Sequence, residues 1–288
     1  MIRKILKKKW KPRKKTAHKG DFGRVLLLAG SRGLTGAAYL SSLACVRAGA
    51  GLVTLGCPEK VYPILARRSQ EVMVKPFPST REGSFSVKAL GPILRFLKNQ
   101  NVLAIGPGLS QDSDTQKLVR RVLAKSVAMI VIDADGLNAL KGHTQELKKC
   151  IGRAVITPHP GEFVRLFGGK LSDSDKVRRK RAVEVAKKYH VVVVLKGHRT
   201  VVADPRGKVY INRTGNPGMA TGGTGDVLTG IIAALIGQKF SLFDAACFGV
   251  YLHGLSGDRA AKKVGEVSLA AGDLIEALPA AIQSVLGA

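Results

Sequence analysis

The chain is poor in cysteine, in aromatic residues and in acids, and each shortage narrows what it can be. Its four cysteines, Cys45, Cys57, Cys150 and Cys247, lie far apart with no C-x-x-C pair. That spacing offers neither a zinc site nor the dense disulfide framework of a small secreted domain, so a reducing cytoplasm is the expected location. Aromatics make up 5% of the 288 residues, which leaves few platforms on which single-stranded nucleic acid can stack. The most apolar stretch, Val227 to Ile236, is interrupted by Thr229 and Gly230 and is too short to cross a bilayer. The charged N-terminus has no apolar run behind it, so no secretory signal is expected. No Gly-Lys-Ser/Thr of a Walker A loop occurs, and Gly30-x-x-Gly33-x-x-Gly36 lacks the G-x-G-x-x-G spacing of dinucleotide binders.

Cations are plentiful instead. Lys and Arg number 47 against 20 acids, for a net charge of +27, and ten of those cations fall between Arg3 and Lys19 with no acid among them. Such a field attracts polyanions but is silent on fold. Residues 1–20 read as a basic arm, without helical or strand periodicity and expected to be disordered; residues 21–288 read as the folded domain. With 45% of residues apolar, a full core can be buried.

Short apolar runs at Val25–Ala29, Leu52–Leu55, Val102–Ile105, Met129–Ile132, Ala154–Thr157 and Val191–Leu195 read as buried strands. Amphipathic segments lie between them: Gly36–Arg47, Lys60–Arg68, Val87–Lys98, Asp114–Ala124, Gly161–Phe167 and Asp173–Lys188, followed by Gly225–Ile236, Phe243–Lys262 and Leu274–Leu286. The alternation predicts right-handed crossovers and a single α/β domain with a mostly parallel central sheet and helices on both faces. Thr200–Ala203 and Val209–Asn212, joined by Asp204-Pro205-Arg206-Gly207, predict an appended hairpin.

The segment from Thr214 to Leu228 carries the strongest chemical signal. Its five glycines let backbone N–H groups converge, and the apolar helix that follows adds its positive dipole end, which together make an anion site. Asp226 is then anomalous. A carboxylate in a first helical turn is ordinarily a dipole partner or cap, yet beside an anion-binding loop it would repel the ligand unless it took a proton from an attacking hydroxyl. His159, between prolines at a strand end, reads equally as a turn residue or a ligand contact. Lys196 and Arg199 read alone as solvated charges, and Asp135 as a cap of the Gly136–Leu140 helix.

The run Gly215-Asn216-Pro217-Gly218-Met219-Ala220-Thr221-Gly222-Gly223-Thr224-Gly225-Asp226 closely resembles the signature of the ADP/ATP-dependent NAD(P)H-hydrate dehydratases, a family of the ribokinase-like superfamily. Other collinear segments agree: Gly30-Ser31-Arg32-Gly33-Leu34-Thr35-Gly36, Arg47-Ala48-Gly49-Ala50-Gly51, Gly106-Pro107-Gly108-Leu109, Asp133-Ala134-Asp135-Gly136, Thr157-Pro158-His159-Pro160-Gly161-Glu162 and His253-Gly254-Leu255-Ser256-Gly257-Asp258. The resemblance implies a lyase that restores NAD(P)H from the S epimer of NADHX or NADPHX, by phosphorylating the C6 hydroxyl from ADP or ATP and expelling phosphate. Asp226 would be the catalytic base. Gly223, Thr224 and Gly225 would form the anion hole, each donor being worth about 3 kcal/mol if it resembles other oxyanion holes. Lys196, Gly197, His198, Arg199, Thr200 and Gly225 would meet the nucleotide; Ala37, Gly106, Gly108, His159 and Asp226 would meet the hydrated dinucleotide.

The resemblance further implies magnesium with the nucleotide, for which the sequence shows no carboxylate cluster as protein ligands, and a homotetramer. Two departures from the family pattern stand out: Leu34, where many members carry Met, and Ser110, where many carry Gly. Residues before Phe22 are not expected to hold the epimerase domain of bifunctional relatives. Two other readings compete: a ribokinase-like kinase of a small alcohol, such as a thiazole or pyrimidine precursor, and a nucleic-acid-associated protein acting through the basic arm. The Thr157–Glu162 segment argues against the first and an intact Asp226 against the second.

Overall fold

Strands that are apolar on both faces are stable only where both faces are covered, and the architecture meets that demand. The computed structural model describes residues 2–172 and 174–287. Seven strands run parallel: β1 (Arg24–Leu28), β2 (Leu52–Pro58), β3 (Met73–Phe77), β4 (Val102–Ile105), β5 (Met129–Ile132), β6 (Ala154–Ile156) and β7 (Val192–Leu195). The expected hairpin, β8 (Val201–Ala203) and β9 (Val209–Ile211), continues the sheet antiparallel, giving the order β3-β2-β1-β4-β5-β6-β7-β8-β9. Asp204 closes its turn by accepting the amides of Arg206 at 3.0 Å and Lys208 at 2.8 Å.

Alternate residues of β1 enter separate cores, as the two-residue period of a strand requires. Val25 and Leu27 pack beneath α2 (Thr35–Arg47), α3 (Tyr62–Arg68), α9 (Thr224–Gly237), α10 (Leu242–Val264) and α11 (Ala271–Leu286). Leu26 and Leu28 pack beneath α4 (Leu90–Leu97), α5 (Ser113–Lys125), α7 (Pro160–Phe167) and α8 (Asp175–Tyr189), with the short α6 (Ala134–Asn138) following β5. The apolar run of α9 is explained by this placement: every residue from Val227 to Gly237 is buried in protein. Among the described residues no helix is long and apolar enough to cross a membrane.

Three expectations need correction. β3 was not anticipated, because Lys75 and Pro76 spoil its pattern; they are tolerated since β3 is an edge strand, where a missing N–H breaks no ladder. The segment Val87–Lys98 begins as a 3₁₀ turn, Val87–Ala89, before α4. The third concerns the arm, expected to be disordered over residues 1–20. Instead Ile2–Lys9 form helix α1, packed on α10 and α11. Ile2, Leu6 and Trp10 recur at intervals of four, so they share one helical stripe, too small to build a core yet sufficient to extend one. Leu6 is fully buried, Trp10 meets Phe240 edge-on at 5.7 Å, and Lys9 Nζ lies 2.6 Å from Asp244 Oδ2. Arg13 stacks over the Phe22 ring at 3.8 Å. Asp173, expected to open the helix that starts at Asp175, lies outside the described residues, as do Met1 and Ala288 at the ends of the expected arm and domain.

Candidate active site

Where the chain leaves β1, β4, β5, β6 and β7 at their carboxyl ends, the loops converge on the amino end of α9, the place an open parallel sheet reserves for ligands. Gly106 leaves β4 with φ 136°, and a Cβ there would overlap the carbonyl oxygen of Asp133, so the exits of β4 and β5 touch backbone to backbone. Gly108 packs against Ala37 of α2: a Cβ on it would stand 3.0 Å from the Ala37 Cβ. The three small residues grouped from the sequence, Ala37, Gly106 and Gly108, therefore do share one wall.

Gly223 caps α9 with φ 89°, where an L side chain would be strained and its Cβ would lie 2.6 Å from Leu40 Cδ1. Its turn lets Thr224 and Gly225 open the helix, whose first amides have no intrahelical acceptor. The preceding loop is tied from below. Asp258 accepts the Gly215 amide at 3.0 Å and Asn216 Nδ2 at 3.1 Å; Thr224 Oγ1 donates to the carbonyls of Met219 and Thr221, each at 3.0 Å. His253, also on α10, donates from Nε2 to the Thr224 carbonyl at 2.9 Å. Burial pushes its pKa down to about 4, which keeps this ring neutral.

Asp133 is the buried anchor beneath α9. Only 1% exposed, it accepts Thr157 Oγ1 and Lys196 Nζ on Oδ1, both at 2.7 Å, and Thr229 Oγ1 on Oδ2 at 2.8 Å. Lys196 Nζ also lies 3.9 Å from Glu162 Oε2. Burial alone would lower the Lys196 pKa, but the carboxylates of Asp133 and Glu162, with Asp226 beyond them, outweigh it and hold the ammonium charged. A Cβ on Gly225 would stand 3.4 Å from that ammonium, so Lys196, Gly225 and Asp226 are brought together. Asp226 is pushed up to about 7, first by burial and then by the charge of Asp133, against the opposing pull of Lys196. A carboxyl so placed exchanges its proton near neutrality.

The other candidates are placed as follows. His159 caps α7: Nδ1 accepts the amides of Gly161 at 3.0 Å and Glu162 at 3.3 Å, while Glu162 Oε2 accepts the His159 amide at 2.8 Å. Half its side chain stays exposed, and its Nε2 lies 3.6 Å from Glu162 Oε1. The Lys196–Thr200 segment divides: Lys196 turns inward, whereas His198 and Arg199 are exposed and Arg199 pairs with Asp175 Oδ2 at 2.7 Å. Thr200 Oγ1 donates back to Gly197 at 3.0 Å. Asp135 is not the expected cap of its helix; it accepts the Ser110 amide at 2.9 Å and Asn138 Nδ2 at 3.0 Å, tying two loops. Among the described residues no group of three or more His, Cys, Asp or Glu is placed to hold a metal ion. A cavity of about 360 Å³ beside Lys9, His190, Arg206 and Phe243 borders the amino ends of the strands and touches none of these groups.

Comparison with known proteins adds to this geometry. The family model for NAD(P)H-hydrate dehydratase matches residues 25–280. The chain belongs to the NAD(P)H-hydrate dehydratase family. A relative, the bifunctional NAD(P)H-hydrate repair enzyme Nnr of Moorella thermoacetica, is 48% identical over 95% of this chain and 52% of its own. The chain thus spans about half the length of the curated relatives it matches. A ribokinase-like superfamily protein of Enterococcus faecalis superposes with a TM-score of 0.83 at 29% identity, covering 98% of this chain and 94% of its own. The Bacillus subtilis ADP/ATP-dependent NAD(P)H-hydrate dehydratase, co-crystallised with ATP/Mg2+, superposes with a TM-score of 0.81 at 30% identity, covering 98% and 97%. The fold is ribokinase-like, as the sequence implied.

Within this dehydratase fold, sequence reasoning assigned no role to Asp133, Glu162, Arg178, His253 or Asp258. Four of them lay inside quoted motifs, where a carboxylate or imidazole without a role was the available signal. Arg178 had none, being one of five cations between Lys176 and Arg181.

Proposed function

We propose that this chain dehydrates the S epimer of NADHX or NADPHX to NAD(P)H, with ADP or ATP as co-substrate. One observation carries the reading: a carboxyl with a pKa of about 7, Asp226, stands directly after the glycine loop at the amino end of α9 and beside the charged Lys196. Asp226 takes the proton of the C6 hydroxyl as its oxygen bonds to the terminal phosphorus of the nucleotide and the bridging P–O bond breaks. The amides of Gly223, Thr224 and Gly225 hold the transferring phosphoryl group. The C6–O bond then breaks as the ring nitrogen pushes in electrons, phosphate leaves, and the C5 proton is lost to regenerate the dihydronicotinamide. Lys196, Gly197, His198, Arg199 and Thr200 serve the nucleotide; His159, Ala37, Gly106 and Gly108 serve the hydrated dinucleotide.

Magnesium suits this site as the nucleotide's counter-ion, bound through phosphate oxygens and water, since it keeps much of its hydration and needs few protein ligands. Both oxygens of Asp133 are already engaged, and Asp226, in the first turn of α9, would meet such an ion through its water. A homotetramer, implied by the resemblance alone, and a reducing cytoplasm, with which four buried free cysteines agree, complete the proposal. The test is to incubate the protein with NADHX, with and without ADP or ATP and magnesium, and to follow reduced-nicotinamide absorbance. Nucleotide-dependent recovery is expected; a phosphate ester accumulating without that absorbance would make the chain a small-alcohol kinase instead.

A further inference from the structure

Arg178 is a charged side chain only 5% exposed, and among its partners are four backbone carbonyls. From α8 its Nη2 donates to the carbonyls of Leu195 at 3.2 Å and Lys196 at 3.1 Å; its Nη1 donates to that of His198 and reaches that of Arg199 at 3.5 Å. The guanidinium thus spans the loop that leaves β7. One helical turn earlier, Asp175 pairs with the Arg199 side chain, so a single face of α8 holds the loop twice. Gly197, at φ 130°, lets the loop approach: a Cβ there would stand 3.1 Å from Arg178 Nη2.

In a planar trans peptide the C=O and the next N–H point in opposite directions. Turning the carbonyls of Lys196, His198 and Arg199 toward Arg178 therefore turns the N–H groups of Gly197, Arg199 and Thr200 away from it. The Lys196 amide, whose peptide carbonyl is that of Leu195, already donates to Pro158 at 2.9 Å. We infer that Arg178 is a positioning residue for nucleotide binding: it fixes the Lys196–Thr200 loop so that these three N–H groups face the acceptor atoms of ADP or ATP. This rests on the nucleotide role proposed above for that loop. Lysine is a poor substitute, because one ammonium cannot span four carbonyls with the planar fork of a guanidinium.

The experiment compares the wild-type chain with Arg178→Lys, with Arg178→Met, and with Val185→Ala, a core truncation about two turns further along the same helix. ADP and ATP affinities are measured by calorimetry, kcat and KM for each substrate by NADHX turnover, and loop order by amide hydrogen exchange. Arg178→Lys is expected to weaken nucleotide binding and raise its KM about tenfold, the scale of lost charge-assisted hydrogen bonds, with kcat and the KM for NADHX within about twofold. Exchange should accelerate over residues 196–200 but not in β7. If Arg178→Met does not fold, the lysine variant still decides.

Nucleotide bound normally by Arg178→Lys, or weakened equally by Val185→Ala, overturns the inference. A wild-type chain that binds nucleotide without converting NADHX defeats the dehydratase reading alone, since the affinities still decide on Arg178. One that binds neither nucleotide defeats both.

Discussion

Asp226→Asn should abolish turnover and at the same time stabilise the fold. The site raises this carboxyl from its ordinary 3.8 to about 7, which costs its ionised form about 4 kcal/mol. Partial solvent access reduces the realised penalty to about 2–3 kcal/mol. The sign follows from proton binding: between the two pKa values the folded chain holds a proton that the unfolded chain has lost, so stability falls as pH rises from about 4 to 7. The penalty is full above pH 7 and absent below about 4. Asparagine keeps the shape without the charge, so the variant's advantage should follow the same curve. For 288 residues, 2–3 kcal/mol corresponds to about 3–5 °C in melting temperature. Turnover should fall about 10²–10⁴-fold for want of the base. Thermal melts of both proteins at pH 4.5 and pH 8, beside NADHX turnover, read out both effects. Near-normal turnover refutes the base assignment; equal melting at pH 8 refutes the strained-carboxylate argument on which it rests.

Wild-type kcat/KM should itself show an acidic limb near pH 7, and Asp133→Asn, by removing a negative charge facing Asp226, should move that limb to lower pH; a pH–rate profile unmoved by the substitution counts against the coupling. His159→Ala should destabilise by about 1 kcal/mol through the lost cap and weaken NADHX use, while His159→Asn restores the cap and only the binding defect remains. Paired melts and KM values check this, and equal effects on ADP would put His159 in the wrong half of the site. Deleting residues 1–10, or substituting Leu6→Ala, should lower the melting temperature by several degrees, since a fully buried leucine truncated to alanine costs about 2–5 kcal/mol where it cannot collapse. A truncated protein that melts as the whole chain would return the arm to a passive tail.

The parallel sheet was legible because its strands are buried on both faces and so read as unbroken apolar runs; β3 was not, because an edge strand is free to carry Lys75 and Pro76. The arm misled for the converse reason. Ten cations obscured a stripe of three apolar residues whose meaning depends on a groove between α10 and α11 that no local pattern announces. The glycine loop and Asp226 were legible because their chemistry is local. Asp133, Lys196 and Thr229 were not, as a group, because residues 133 and 229 meet only through the packing of α9 on β5. Ser110 shows the limit of substitution patterns: it adopts φ 69°, where glycine is at ease, and its hydroxyl bonds Ser84 Oγ at 2.7 Å while its amide meets Asp135. Those bonds offset the strain of about 1 kcal/mol that a side chain brings to such a backbone.

Asp133 and Asp226 show how two aspartates of one site acquire opposite tasks. Asp133 is the more buried, yet three donors surround its two oxygens, and its pairing with Lys196 holds that ammonium charged. Asp226 lies close to the same ammonium without owning it, and burial leaves it near neutrality. A carboxylate of ordinary acidity at this place would be a weak base and would repel the incoming phosphates. In the proposed reaction a carboxyl that exchanges its proton near neutrality would lower that repulsion while the nucleotide enters and would retain enough basicity to take the hydroxyl proton. Phosphate charge arriving without its cation would raise Asp226 further, and a divalent cation would pull it down. If Asp226 is the base, its strength would therefore follow the occupancy of the site, with the Asp133–Lys196 pair as its fixed reference.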